Sequence, residues 1–392
     1  MLKRLSKVVN EERKLAVGLM SGTSLDGIDA ALVEITGFGP GTKVRLIDFE
    51  STPYSVEERR QLIELCDPAT STVEKICKMN IILGDRFAEA ALAVIKKAGL
   101  KPEAVSFISS HGQTIYHWPE ELATLQIGEL ANIAAKTDIL TVGDFRPSDM
   151  AYQGEGAPLV PFVDALLFSH TTKNRVLLNI GGISNLTVVP AETSSAKEII
   201  AFDVGPGNVL IDGAVRHLTA NQQTYDLDGK IACKGNVHSD LLMMLIEEDG
   251  FLAVKPPKST GREFYTEQRL ATILKKAEDQ SLSIEDIVAT ITAYTVEMIA
   301  QSLALYVHKE QVIHELIVSG GGAHNQAIMD GLRQALPYKV SNMDDVAFTG
   351  DAKEAIAFTV LGNQFLHGET NNLPSATGAS RNVLMGKLVL PS

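Results

Sequence analysis

The sequence predicts an α/β protein made of two domains of similar design. Its 392 residues exceed the roughly 250–300 at which a single hydrophobic core stops growing. Two strand-like runs joined by a glycine turn occur near the start of each half, at 15–35 and 175–189. Segments with helical spacing of apolar residues follow in both halves, notably 72–98 and 284–303. We therefore expect a duplicated architecture, with ligand-binding turns of the two domains facing a cleft.

The first half opens on a β-hairpin, in which the runs 15–19 and 30–35 flank a polar turn. Glycine lets such a backbone approach a ligand closely, and successive N–H groups form a concavity suited to phosphate oxygens. A carboxylate such as Asp26 is a ligand of the kind that holds Mg²⁺. The alternative is an ordinary polar hairpin tip. The candidate nucleotide-binding residues here are Gly22, Thr23, Ser24, Leu25, Asp26, Gly27, Ile28 and Asp29.

Further strands are predicted at 43–50, 105–109 and 139–142, and two of them end in polar residues. The carboxyl ends of strands are where open α/β sheets bind ligands. His111, Gln113 and Thr114 follow one strand and are predicted to contact a polyhydroxylated ligand; a catalytic base at His111 lacks an accompanying Ser or Cys nucleophile motif. Asp144 and Arg146 follow the other, where the arginine can hold a carboxylate or phosphate bidentately or form a surface ion pair.

The second half begins with a strand at 175–180, a turn at 181–185 that includes Gly181, and a returning strand at 186–189. A strand at 199–203 leads into a second glycine turn and a helix at 209–218, and a strand at 315–319 leads into a third turn. A final helix is expected near 351–366. Turns opening helices from several sides suit a bound nucleotide, although they could be purely structural. The candidate residues are Gly205, Gly207, Asn208, Gly320, Gly321, Gly322 and Asn325.

Asp203 is the predicted catalytic carboxylate. It ends an apolar strand directly before the turn at 205–207, where it could deprotonate a hydroxyl or water, or cap the following helix. Lys258 belongs to a cationic, hydroxyl-bearing stretch (258–262) that could close on phosphates or remain an exposed loop. Glu354, on the last helix, is ordinarily a solvated helical residue.

Composition excludes several classes of protein. The formal net charge is −13 and no dense Lys/Arg tract is present, so nucleic acid and anionic membranes are not expected partners. Three scattered cysteines fit a reducing cytoplasm, and no apolar run approaches a membrane span. No P-loop or dinucleotide fingerprint occurs. Residues 1–14 are expected to form a frayed extension.

From residue 15 onward the chain resembles the anhydro-N-acetylmuramic acid kinases, in the family's motif order. Eight motifs carry the likeness: Gly-Leu-Met-Ser-Gly-Thr-Ser-Leu-Asp-Gly-Ile-Asp at 18–29, Ser-His-Gly-Gln-Thr at 110–114, Gly-Asp-Phe-Arg at 143–146, Gln-Gly-Glu-Gly-Ala-Pro-Leu-Val-Pro at 153–161, Asn-Ile-Gly-Gly-Ile-Ser-Asn at 179–185, Phe-Asp-Val-Gly-Pro-Gly-Asn at 202–208, Lys-Ser-Thr-Gly-Arg-Glu at 258–263 and Ser-Gly-Gly-Gly-Ala-His-Asn at 319–325. Two departures are an extra stretch of about ten N-terminal residues and Pro147-Ser148, where the family commonly has basic residues.

The resemblance implies two duplicated actin-like (ribonuclease H-like) ATPase domains around an interdomain cleft, here 12–138, with 368–392 returning to it, and 139–367. It implies ATP and Mg²⁺ as cofactors, a cytoplasmic homodimer, and a role in recycling cell-wall muropeptides. The reaction would open the 1,6-anhydro bond of anhydro-N-acetylmuramic acid and phosphorylate O6. Asp203 would activate water, Glu354 would contact the sugar, and Asp26 would serve the metal.

Two other functions remain open on the sequence. An ordinary sugar kinase would use Asp203 to deprotonate a free hydroxyl, and would phosphorylate the opened sugar. An actin-like or chaperone ATPase would use nucleotide to switch its domains and bind a protein, with no dependence on sugar. A hydrolase built on His111 is a more distant possibility.

Overall fold

The computed structural model describes residues 2–194, 198–261 and 264–391. The described strands are β1 (Arg13–Ser21), β2 (Gly27–Thr36), β3 (Lys43–Pro53), β4 (Phe107–Trp118), β5 (Ala123–Ile127), β6 (Thr141–Gly143), β7 (Arg175–Ile180), β8 (Ile183–Val189), β9 (Ile200–Pro206), β10 (Glu315–Ser319), β11 (Lys339–Asn342) and β12 (Lys387–Val389). The helices are α1 (Leu2–Asn10), α2 (Val56–Cys66), α3 (Val73–Lys97), α4 (Leu130–Thr137), α5 (Arg146–Met150), α6 (Val160–Phe168), α7 (Val209–Leu218), α8 (Ser239–Glu247), α9 (Glu267–Asp279), α10 (Ile284–Tyr306), α11 (Gln326–Ala335), α12 (Met343–Val346), α13 (Lys353–Leu366) and α14 (Pro374–Thr377).

The first compact unit comprises Met1–Leu167 and Ala352–Ser392. Its sheet has the order β12-β6-β4-β1-β2-β3, and β5 pairs with β4. β1, β2 and β3 form an antiparallel meander, whereas β4 runs parallel to β1 and β6 runs parallel to β4. α13 packs on this sheet so closely that a Cβ on Gly18 would lie 1.8 Å from the Ala355 carbonyl oxygen. Only glycine allows this approach.

The second unit comprises Phe168–Asp351, with a sheet of order β11-β10-β7-β8-β9. β7, β8 and β9 again form an antiparallel meander, β10 runs parallel to β7, and β11 runs parallel to β10. The strand order and directions repeat those of β6-β4-β1-β2-β3. The predicted α/β class and its duplication are therefore confirmed.

α10 is the core helix of the second unit. By length and composition it could cross a membrane, but 72% of its most apolar 18-residue window is buried inside the protein. Its buried residues, such as Ile291 and Ile299, belong to one hydrophobic cluster with β7, β8 and β10. The apolar character of α10 is explained by that packing.

The compact units divide the chain at different residues from the predicted boundaries. β6, expected in the second domain, extends the first sheet because it pairs with β4 and β12. α13, also expected in the second domain, packs on β1, β2 and β4 of the first. The segment 368–391 lies in the first unit.

Two local expectations were wrong. The N-terminal residues form a helix rather than a frayed extension: Val8 is buried, and Arg4 Nη1 lies 3.1 Å from Asp138 Oδ1. The strand predicted at 105–109 continues to Trp118, through the polar motif at 110–114. That motif is therefore part of β4, and the register of β4 against β1 shifts between Leu19 and Ser21.

Candidate active site

Two glycine turns of the second unit are bonded to each other. The amides of Gly207 and Asn208 donate to the carbonyls of Gly182 and Gly181, at 2.9 and 2.8 Å. Asn208 Nδ2 also lies 3.1 Å from the carbonyl oxygens of both Ile180 and Gly181. The turn between β7 and β8 and the turn after β9 consequently form one backbone surface.

The third glycine turn, at 320–322, meets the same surface. Gly320 has φ +79°, and a Cβ there would lie 2.6 Å from Asn179 Oδ1. A Cβ on Gly322 would lie 2.3 Å from Ile180 Cγ2, whereas one on Gly321 would meet only Asn208 Nδ2 at 3.6 Å. The structure thus brings all three turns of this unit together, an arrangement rich in backbone groups of the kind that bind anions.

Asn325 has a structural task at the edge of this surface. Its Oδ1 accepts hydrogen bonds from the amides of Ala327 and Ile328, at 3.0 and 3.2 Å. Asn325 therefore caps the N-terminus of α11.

Asp203 lies inside β9 rather than at its end, because the strand continues to Pro206. Its Oδ2 accepts a hydrogen bond of 2.8 Å from the Thr260 amide, and its own amide donates to the Lys258 carbonyl at 3.0 Å. The N-cap position of the following helix is Asn208, so Asp203 does not cap it. Asp203 thus lies two residues before Gly205, on the strand that runs into the joined glycine turns.

Lys258 is not part of an exposed loop, and this expectation was wrong. The residue is only 8% exposed, and its ammonium donates to the Phe251 carbonyl at 3.0 Å. The rings of Phe251 and Tyr306 lie 4.4 and 4.9 Å from Nζ. Burial lowers the pKa of Lys258, although Asp249 and Asp203 favour its charged form. Arg262 and Glu263, from the same motif, lie outside the described residues.

In the first unit, the turn at 22–26 is held by hydrogen bonds from the buried side chain of Gln113 in β4. Ser21 Oγ donates to Gln113 Oε1 at 2.6 Å, and Gln113 Nε2 donates to the carbonyls of Gly22 and Thr114, both at 3.1 Å. Leu25 adopts φ +54°, and Ser24 Oγ lies 2.8 Å from Asp26 Oδ1. Gln113, predicted to contact substrate, therefore supports the turn instead.

The described residues contain no group of three or more His, Cys, Asp or Glu side chains able to hold a metal alone. Mg²⁺ usually binds one or two carboxylates and completes its shell with water and substrate phosphates. Asp26 lies in the turn at 22–26, and Asp29 lies three positions later, in β2. Both carboxylates act on the carboxyl of Glu354, whose pKa they raise. This donor set fits an ion held jointly by the protein and a nucleotide, not a structural metal centre.

His111 and Arg146 form a buried pair in the first unit. Arg146 Nε donates to His111 Nε2 at 3.0 Å, and His111 Nδ1 lies 2.9 Å from the Gly112 carbonyl. The ring thus carries its proton on Nδ1. Burial, with the charge of Arg146, lowers the pKa of His111 to about 3, and burial lowers that of Arg146 to about 10. A neutral ring whose Nε2 is engaged by arginine is poorly placed to act as a base.

We expect His111 to make stability depend on pH. The pKa of His111 is about 3 in the folded protein and about 6.5 in the unfolded chain. Between pH 6.5 and pH 3, the unfolded chain therefore binds a proton at this residue and the folded protein does not. The free energy of unfolding should fall by about 1.4 kcal/mol for each pH unit in that window from this group alone. Urea unfolding of the wild type and His111→Gln across that window measures it, and equal pH slopes would contradict the assignment.

Two other predicted substrate residues have protein partners. Asp144, at φ +56°, forms an ion pair with Lys387 of β12. Thr114 Oγ1 lies 3.3 Å from Gln126 Nε2 of β5. The first contact joins the end of β6 to β12, and the second joins β4 to β5.

Glu354 lies in the first turn of α13 and its side chain is reached by solvent. Desolvation of its carboxyl by the surrounding protein raises the pKa of Glu354, and the charges of Asp29 and Asp26 act in the same direction. Lys353 and Arg146 act in the opposite direction. The structure therefore places Glu354 within electrostatic reach of Arg146 and of the turn at 22–29.

Sequence reasoning missed two buried carboxylates in the first unit. Asp149 accepts from Gly156 N, Asn372 Nδ2 and Thr377 Oγ1 at 2.8–2.9 Å, and so holds the loop at 153–156 to the C-terminal segment. Asp164 pairs with Lys353 at 2.9 Å, next to Glu354. Except for Gly156, their partners lie about 190–230 residues away in the chain, and no local pattern indicates them.

The chain matches known proteins over nearly its whole length. The family model described as anhydro-N-acetylmuramic acid kinase matches residues 14–391. An anhydro-N-acetylmuramic acid kinase of Caldanaerobacter subterraneus subsp. tengcongensis is 44% identical over 396 aligned positions, covering 99% of this chain and 100% of the relative. One from Bacillus cereus (strain G9842) is 42% identical, covering 95% and 98%. Among solved structures, component A of the Acidaminococcus fermentans (R)-2-hydroxyglutaryl-CoA dehydratase covers 90% of this chain and 99% of its own, with a TM-score of 0.46 and 10% identity.

Proposed function

The chain belongs to the anhydro-N-acetylmuramic acid kinase family, and we propose which of its residues perform that family's reaction. The protein uses ATP to open the 1,6-anhydro bond of anhydro-N-acetylmuramic acid and to phosphorylate O6, giving N-acetylmuramic acid 6-phosphate for peptidoglycan recycling.

One observation supports the assignment of the catalytic group best. Asp203 lies on the strand that runs into the joined glycine turns, and one of its carboxylate oxygens is held by the Thr260 amide. A carboxylate beside a phosphate-binding backbone is what coupled water activation and phosphoryl transfer require.

In the proposed step, the Asp203 carboxylate takes a proton from water as the water oxygen attacks the anomeric carbon. The bond from that carbon to O6 breaks, and O6 bonds to the γ-phosphorus as ADP departs. Glycosidases normally protonate the leaving oxygen with a carboxylic acid. Here the phosphorus electrophile takes that role, so one carboxylate suffices at the anomeric carbon.

The glycine turns at 181–182, 205–207 and 320–322, and the turn at 22–29, supply the backbone groups proposed to bind ATP. Asp26 is the residue proposed to hold Mg²⁺ in company with the nucleotide phosphates. The ion, when bound, neutralises charge on the transferred phosphoryl group. Lys258 is not assigned to the nucleotide, because its ammonium is buried against Phe251.

Arg146 and Glu354 are proposed to contact the sugar. Arg146 donates to His111 and to the Gly156 carbonyl through Nε and Nη1, and Nη2 has no hydrogen-bond partner within the described part of the chain. A guanidinium held in this way suits the carboxylate of a muramic acid. Glu354 is an acceptor for sugar hydroxyls.

We also propose that the enzyme acts in the cytoplasm as a homodimer that binds neither nucleic acid nor membranes. Its described cysteines (Cys66, Cys77 and Cys233) are free thiols, as in proteins of reducing compartments. The net charge of −13 disfavours polyanionic partners.

Turnover of the anhydro sugar and of opened N-acetylmuramic acid, each with ATP, tests the proposed reaction. The anhydro sugar should be converted rapidly to the 6-phosphate and the opened sugar poorly, since only the former offers an O6 that leaves the anomeric carbon. Equal rates would instead support an ordinary sugar kinase, and ATP hydrolysis independent of sugar would support an ATPase switch.

A further inference from the structure

The segment 258–260 lies alongside β9 at Asp203. The Asp203 amide donates to the Lys258 carbonyl at 3.0 Å, and the Thr260 amide donates to Asp203 Oδ2 at 2.8 Å. The same three-residue segment therefore bonds both the backbone and the carboxylate of Asp203. The direction of that carboxylate depends on where the segment lies.

Lys258 anchors this segment to the interior of the second unit. Its stem and ammonium are enclosed by the rings of Phe251, Tyr306 and Phe202, with Nζ 4.4, 4.9 and 5.9 Å from their centroids. Its ammonium donates a hydrogen bond to the Phe251 carbonyl. A cation over aromatic faces in a desolvated setting is held more strongly than one at a surface.

The anchor point is itself fixed. The Phe251 amide donates to Asp249 Oδ1 at 2.9 Å, and Asp249 Oδ2 accepts from Tyr265 and Tyr294 and pairs with Arg269. Tyr306 donates its hydroxyl to the Leu252 carbonyl at 2.7 Å.

We propose that Lys258 is a positioning residue for the catalytic base: its ammonium, held by Phe251 and Tyr306, fixes the segment whose Thr260 amide orients the Asp203 carboxylate. This inference rests on the proposed role of Asp203. It replaces the direct phosphate contact that the sequence suggested for Lys258. The two roles differ in what they predict, because a phosphate contact acts on ATP binding whereas a positioning residue acts on the chemical step.

Two variants test the proposal. Lys258→Met fills the aromatic enclosure with an unbranched apolar chain but removes the ammonium. Thr260→Pro removes the amide that donates to Asp203, and Thr260→Ala, which keeps that amide, is its reference. Because a displacement of about 1 Å at a reacting group can cost about 10²-fold, we expect Lys258→Met and Thr260→Pro to lower kcat by about 10- to 100-fold with KM for ATP unchanged. Lys255→Met, at an exposed lysine three residues before Lys258, should leave kcat unchanged.

The outcomes separate the alternatives. A wild-type kcat in Lys258→Met would overturn the proposal. A loss of activity in Lys258→Met that is explained by a higher KM for ATP would also overturn it, because that result indicates a direct contact with the nucleotide. If Thr260→Pro fails to fold, as circular dichroism would show, Lys258→Met alone decides. Near-normal turnover of Asp203→Asn would overturn the proposed role of Asp203 as the catalytic base, on which this inference rests. An inactive Asp203→Asn beside active Lys258→Met and Thr260→Pro would overturn only the positioning role.

Discussion

Asp203→Asn is expected to lower kcat by about 10²- to 10⁴-fold, the range that a general base contributes, and to leave ATP binding nearly intact. Asparagine has the size of aspartate and keeps an oxygen that can accept from the Thr260 amide, 2.8 Å away in the wild type. It cannot take a proton from water. Initial rates with the anhydro sugar and ATP give kcat, and titration calorimetry with ATP gives the affinity.

Asp228→Asn is the matched control. Asp228 also lies in the second unit, but its carboxylate is 54% exposed and pairs with Lys230 at the surface. The control should retain wild-type kcat. Turnover of Asp203→Asn close to that of the control would remove Asp203 from the mechanism.

Lys353→Met is expected to reduce the free energy of unfolding by about 3–5 kcal/mol, the typical cost of removing one partner of a buried ion pair. The side chains of Lys353 and Asp164 are only 10% and 4% exposed, and Nζ lies 2.9 Å from Oδ1. The pair joins the start of α13 to α6, so its loss should also loosen the turn that carries Glu354. Equilibrium unfolding in urea measures the effect.

Two companion variants make this result specific. Lys387→Met breaks a pair with Asp144 whose lysine is 65% exposed, and should cost no more than about 1 kcal/mol. Adding Asp164→Leu to Lys353→Met removes the remaining buried charge and should restore part of the loss. Equal costs for the two single variants would contradict the view that burial makes the Lys353 pair important.

Much of the fold follows from local patterns. The hairpins at 15–35 and 175–189, α3 and α10 were predicted from alternation and helical spacing, because each buries an apolar face within one stretch of chain. The predicted strand ended at residue 109, whereas β4 continues to Trp118. The prediction stopped there because polar residues follow, yet Ser109, Ser110, His111 and Gln113 are all buried. Several of these side chains have partners far along the chain, such as the Phe358 carbonyl that accepts from Ser109 and the Ser21 hydroxyl that donates to Gln113.

In the candidate site, too, the features with a local sequence pattern were predicted and those that depend on distant partners were not. The glycine turns and Asp203 were identified from their place after strands, and the structure joins the turns of the second unit. Lys258 was misjudged because its sequence neighbours are polar, whereas its surroundings, Phe202, Phe251 and Tyr306, come from three separate elements. Gln113 was misjudged for the same reason, since the Ser21 hydroxyl that it accepts from lies 92 residues away.

The central claim is that water attacks the anomeric carbon while O6 of the same sugar accepts the phosphoryl group. Mass spectrometry of the product formed from the anhydro sugar and ATP in ¹⁸O-labelled water tests it most directly. We predict one ¹⁸O atom on the anomeric carbon and an unlabelled phosphate on O6. Label in the phosphate, or a phosphorylated sugar that keeps its anhydro bond, would contradict the mechanism.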